Sequence, residues 1–141
     1  MQSEEREDQL AADATRAMHS GDFGAAHAAF ATAAEIARER GDESAESVYI
    51  ANLGTACLQL RRFDEAAACF ERALPVLAAQ GRHQEIQIRR SLAIAYLGQT
   101  QRGKAREQLE AALEAACRPP DQAPADEALA VAGHHPLQGG S

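Results

Sequence analysis

The stretch Arg61-Arg62-Phe63-Asp64-Glu65-Ala66-Ala67-Ala68-Cys69-Phe70-Glu71-Arg72-Ala73 sets one large ring, Phe70, between Ala66 four residues before it and Ala73 three after. On a helix those offsets place the three side chains on one face. Small residues there let a second helix approach, and the ring fills the gap beside them. The pattern returns on either side. Gly21 to Ala33 carries Ala26, Phe30 and Ala33, and Thr100 to Ala112 carries Ala105, Leu109 and Ala112. Phe30, Phe70 and Leu109 follow one another at spacings of 40 and 39 residues. A bundle helix shows such a face once; three at one period call for stacked units.

Each of these helices is preceded by another. Val48 to Leu60 and Gln87 to Gly98 align with Leu53-Gly54 over Leu92-Ala93 and Cys57 over Tyr96. The first unit keeps Leu10, Ala14 and Ala17, with Asp13 in the leucine's place. Turn signals at Ser20-Gly21-Asp22, Arg40-Gly41-Asp42, Gln80-Gly81-Arg82 and Gly98-Gln99-Thr100 punctuate the pattern. This reading predicts helices near 4–19, 22–39, 44–60, 63–80, 84–98 and 101–117. They group into repeats of about 5–40, 44–80 and 84–117 within a helical domain over 1–117. Pro75 falls inside the fourth helix and predicts a kink, because its ring removes a backbone bond. Arg118-Pro119-Pro120 ends the last helix and opens a Pro-containing linker. In the remaining tail, to Ser141, residues 124–132 have the pattern of a short helix and the rest is expected to be disordered.

Composition narrows the function. Of 141 residues 45% are apolar and only 4% aromatic, with alanine prominent, which suits closely packed helices and leaves no run fit for a strand. A formal net charge of −7 disfavours binding to nucleic acid or anionic lipid, and no stretch reaches the roughly 20 apolar residues that span a bilayer. The acidic N-terminus lacks the features of a signal peptide. Cys57, Cys69 and Cys117 show no metal-ligand spacing, and their odd number argues against a disulfide framework, so free thiols in a cytoplasm are expected. Thirteen Arg against one Lys suggest a bacterial, GC-rich coding sequence. No phosphate loop, nucleophile elbow or zinc-protease motif occurs, and His134-His135 alone fall short of a metal site. The chain therefore reads as a non-enzyme, without cofactor or metal.

Leu53-Gly54 with Cys57, followed by Ala66, Phe70 and Ala73, resembles the tetratricopeptide pattern; Leu92-Ala93, Tyr96, Ala105, Leu109 and Ala112 repeat it. The period is longer than the standard 34 residues and is similar to the subclass carrying Asn-Leu-Gly. The resemblance implies an all-α, right-handed α-solenoid of three helix–turn–helix repeats, with Ala26, Phe30 and Ala33 as the first unit's core. It also implies that Asn52 holds the position from which family members grip a ligand backbone. The lysine and asparagine of a carboxylate clamp are missing, since Ala11 and Thr15 stand in their places.

In a curved stack the first helix of each pair lines the concave side. That geometry nominates Asp8, Ala11, Ala12, Thr15, Met18 and His19 from the first unit, Val48, Ala51, Asn52, Thr55, Leu58 and Gln59 from the second, and Gln87, Arg90, Ser91, Ile94 and Leu97 from the third, with Thr15, Val48, Asn52, Thr55, Gln59, Gln87, Arg90, Ser91 and Ile94 as the leading set. Amides beside apolar spots suit an extended or helical peptide, and Arg90 is the candidate partner for a carboxylate. Residues 1–50 carry eleven acids and four bases, whereas 82–106 carry six bases and one acid. An acidic partner is thus expected at the third-repeat end. The leading expectation is an adaptor or regulatory module that binds a partner polypeptide. A scaffold self-assembling through its last helix, or a secretion-type chaperone, are the alternatives.

Overall fold

Residues 2–119 are described by a computed structural model. Among them the chain forms α1 (Gln2–Ser20), α2 (Phe23–Glu39), α3 (Glu43–Gln59), α4 (Phe63–Gln80), α5 (Arg82–Gly98) and α6 (Arg102–Cys117), with no strand. The expected short helix at 124–132 and most of the linker lie outside the described residues. Each helix packs on its neighbours in the chain, α3 also touches α5, and no extensive packing joins α1 to α6. The chain is an all-α solenoid of paired helices, open at both ends. No helix among the described residues is long and apolar enough to cross a membrane. α4 runs past Pro75 to Gln80, with the proline on its exposed side.

The turns repeat as faithfully as the helices. Asp22, Asp42, Arg62 and Gln101 each donate their backbone N–H to a carbonyl five residues back, on Ala17, Ala37, Cys57 and Tyr96. The residue before each has positive φ: Gly21 at 85°, Gly41 at 78°, Arg61 at 61° and Thr100 at 59°. This is the left-handed C-cap that satisfies the last carbonyls of a helix, usually with glycine. Asp22 and Asp42 then cap the next helix by accepting from the N–H of Ala25 (3.2 Å) and Ala45 (3.0 Å).

The repeat positions form the core. Ala26, Phe30, Ala33, Gly54, Ala66, Phe70, Ala73, Leu92, Tyr96, Ala105 and Ala112 are buried, and Leu53 is half-buried against the cluster of Ala14, Ala26, Phe30 and Ala56. Gly54 is demanded by Phe70: a Cβ there would stand 2.9 Å from the ring and 3.1 Å from the Cβ of Cys69. Leu109 departs from the expected core. It is 47% exposed, as is Leu113 at 65%, because α3 and α5 cover the faces that hold Phe30 and Phe70, while among the described residues nothing follows α6.

Buried polar contacts tie the units in a pattern the hydrophobic period does not reveal. Glu7, 3% exposed, receives Arg40 through Nε (3.0 Å) and Nη2 (2.8 Å), and Tyr49 Oη donates to it at 2.9 Å. Glu85, 5% exposed, receives Arg89 Nε at 3.0 Å and Arg118 Nη1 at 3.4 Å. In both units an arginine at the end of the second helix reaches back 33 residues to a glutamate in the first. The matching pair in the second unit is neutral, Ser47 and Gln80, and Gln80 donates to Ser44 Oγ at 2.7 Å instead. Each buried carboxylate thus keeps charged and hydrogen-bonding partners, without which its desolvation would be costly. Tyr49 joins the second unit to the first through Glu7, and Tyr96 joins the third to the second by donating to Glu71.

Two outcomes follow from this packing. Phe70→Ala is expected to cost about 3–5 kcal/mol in urea unfolding and Leu109→Ala about 1 kcal/mol or less; equal losses would contradict the assigned register. Burial first, then donation to Glu7 and Glu71, pushes the phenols of Tyr49 and Tyr96 up to about 12. These are the chain's only two tyrosines. Phenolate absorbance of the folded protein should therefore stay flat through the usual midpoint near 10. Because the folded values are raised, the stability these phenols contribute is complete below pH ~10 and is lost as pH rises through about 12. Tyr49→Phe should halve the amplitude and leave the midpoint, and an ordinary midpoint for either ring would refute the contacts.

Candidate functional site

The concave side is built from α1, α3 and α5, with the partner helices as its floor. Between α3 and α5 lies a hollow of about 520 Å³, lined by Val48, Ala51, Asn52, Thr55, Gln87, Arg90, Ser91 and Ile94 over Phe70 and Leu77 of α4. Between α1 and α3 lies a second, of about 460 Å³, lined by Thr15, Met18, His19, Asn52, Thr55 and Gln59 over Phe23 and Phe30 of α2. Asn52 and Thr55 border both, so they form the ridge where the two hollows meet. Of the residues nominated for the groove, Thr15, Val48, Asn52, Thr55, Gln59, Gln87, Arg90, Ser91 and Ile94 line one or both of the adjoining hollows of this trough, whereas Asp8, Ala11, Ala12, Leu58 and Leu97 line neither. Helical spacing explains this. Val48, Asn52, Thr55 and Gln59 recur at intervals of three and four and keep to one face of α3, as Gln87, Ser91 and Ile94 do, with Arg90 beside them, on α5.

The trough has unspent polar capacity. Thr15 and Thr55 return their hydroxyls to their own helices, donating to Ala11 O (2.9 Å) and Ala51 O (3.2 Å). Among the described residues no hydrogen bond engages the side chains of Asn52, Gln59, Gln87, Arg90 or Ser91. Arg90 likewise has no carboxylate within ion-pair distance among the described residues, and it is the arginine that lines one of these two hollows. Val48 and Ile94 add exposed apolar surface at 39% and 52%. No aspartate or glutamate lines either hollow, although the whole chain is strongly acidic. Amides, one free cation and apolar spots are thus held on rigid helices along a single path.

A second constellation escaped the linear reading, which expected no metal ligands. His27 of α2, Cys57 of α3 and Glu65 of α4 come together with one ligand atom each, all within 4.8 Å of one another. His27 Nε2 stands 2.6 Å from Glu65 Oε2. The hydrogen bond from His27 holds the Glu65 carboxyl below its ordinary value. Burial, with the Glu65 charge beside it, pushes the Cys57 thiol up to about 12. Such a thiol stays protonated at neutral pH and is a poor nucleophile. The separations of 30 and 8 residues match no metal motif, so only the packing of three helices reveals the group.

None of the curated proteins matches the chain. The family model described as tetratricopeptide repeat matches twice, over residues 14–79 and 46–118, so the matches overlap on the second unit and together run from the middle of α1 past the end of α6. Repeats of this kind are generally protein–protein interaction modules on a non-catalytic scaffold. The paired helices, the Gly54–Phe70 approach and the two matches agree: the chain belongs to the tetratricopeptide repeat family.

Proposed function

We propose that this chain is an adaptor or regulatory module that takes a segment of a partner polypeptide along the concave trough, and that it has no catalytic role of its own. The observation that carries this reading is the ridge at Asn52. Its amide is free of intramolecular partners among the described residues and faces both hollows, where a ligand's backbone would cross from one to the other. An amide side chain both donates and accepts, which matches a peptide unit. The apolar floor under each hollow would receive ligand side chains on either side of that crossing.

The free guanidinium of Arg90 and the absence of acids from the lining favour a partner segment with a carboxylate near the third repeat. Residues 1–50, with eleven acids against four bases, would repel such a segment from the wrong end and so orient it. Nucleic acid and membrane fit this charge balance poorly, and a cytoplasmic setting suits the free thiols. A second reading, self-assembly, rests on Leu109 and Leu113, whose exposure leaves an apolar face on α6 that another copy would cover.

Asn52→Ala combined with Arg90→Glu should abolish recovery of the proteins that the wild-type chain enriches in an affinity purification, with helicity unchanged. Undiminished recovery would reject the trough. Light scattering after size exclusion separates the second reading: oligomers that Leu109→Glu disperses would favour self-assembly, and a monomer at all concentrations would remove it.

A further inference from the structure

The corner formed by His27, Cys57 and Glu65 lies apart from the trough, and none of its residues lines either hollow. Its depth is graded. Cys57 is fully buried, the His27 side chain is 23% exposed and that of Glu65 is 42% exposed. The corner therefore has a sulfur at its floor and an imidazole and a carboxylate at its rim, open to entry from solvent. Cys69 stands one helical turn beyond Glu65 on α4 and is half-buried. Sulfur, imidazole nitrogen and carboxylate oxygen together select a borderline-soft divalent ion. Magnesium and calcium prefer all-oxygen sets.

We propose that His27 Nε2, Cys57 Sγ and Glu65 Oε2 form a binding site for a zinc-class divalent transition-metal ion, with Cys69 or a water completing four-fold coordination. The spacing admits this. Bonds of about 2.0–2.3 Å at tetrahedral angles place ligand atoms roughly 3.3–3.8 Å apart. The three ligand atoms lie within 4.8 Å of one another, with 2.6 Å between His27 Nε2 and Glu65 Oε2, so the group brackets that separation. The thiol proton leaves to solvent as the sulfur–metal bond forms, and the ion replaces the hydrogen bond that now joins His27 to Glu65.

The three ligands come from three helices and two repeats, since α2 closes the first unit and α3 and α4 make the second. An ion here would cross-link that seam with coordinate bonds and stabilise the folded chain by an amount that grows with the logarithm of free ion concentration above its dissociation constant. The inference is independent of any partner in the trough.

The full chain, reduced and freed of metal with a chelator, is titrated with Co(II) and then Zn(II). One equivalent of Co(II) should produce the visible bands of a tetrahedral site together with thiolate-to-metal charge transfer. One equivalent of Zn(II) should bleach both and raise the melting temperature. His27→Gln and Glu65→Gln, both at the rim, should keep the helical spectrum while weakening Zn(II) binding at least tenfold, and Cys57→Ser should remove the charge-transfer band. The rim variants carry the test if the buried Cys57→Ser chain fails to fold. The same titration on Cys117→Ser/His134→Ala/His135→Ala removes the exposed thiol and the tail histidines as competing ligands, and the site should survive it. Absence of the charge-transfer band in the wild type, its loss in that triple variant, or unchanged affinity in both rim variants would overturn the assignment.

Discussion

Phe70 lies so close to α3 that only a hydrogen fits at position 54, and that approach sets the distance between the two helices of the central repeat. Alanines at 66 and 73 on the facing helix keep the contact close on either side of the ring. Helix pairs held at this distance pack on the next pair through the same face, which is why α3 covers Phe30 and α5 covers Phe70. The concave trough follows from the arrangement. Its floor is the upper edge of Phe30 and Phe70, and its walls are the first helices of successive units.

Apolar packing alone leaves the ends of each unit loose, because the helix termini have few large side chains to bury. The Glu7–Arg40 and Glu85–Arg118 contacts close those ends, and the two tyrosines bind each unit to the one before it. A buried carboxylate tolerates only a full set of donors, so these contacts specify how the helices meet more than they add to stability. The middle unit lacks the charged pair, and Ser47 with Gln80 there borders the larger hollow through Gln80. There Arg72 of α4 pairs instead with Glu46 of α3, and this unit supplies the ridge of the trough.

The division of surfaces is also a division of chemistry. Among the described residues, the two hollows hold amides and a guanidinium without side-chain partners and are lined by no acid, and His27, Cys57 and Glu65 line neither. Cys57 sits at a small apolar position of the repeat, where burial, with the Glu65 charge beside it, disfavours the thiolate.

Much of this was legible in the linear chain. The period of Phe30, Phe70 and Leu109 with their flanking alanines and the turn residues yielded six helices whose limits lie within two residues of those observed. Which residues share a face of α3 or α5 was legible too, because a helical face is a matter of spacing along one element. Tertiary structure alone decided the rest. Leu109 has the sequence of a core residue and lies exposed for want of a covering helix. The glutamate–arginine pairs recur at an offset of 33, which only a search for repeated charge, not hydrophobicity, would have found. His27, Cys57 and Glu65 belong to three helices, and no local periodicity records which residues of different helices will meet. Periodicity encodes the face a helix turns inward; what that face encounters depends on the order and angle in which whole helices stack.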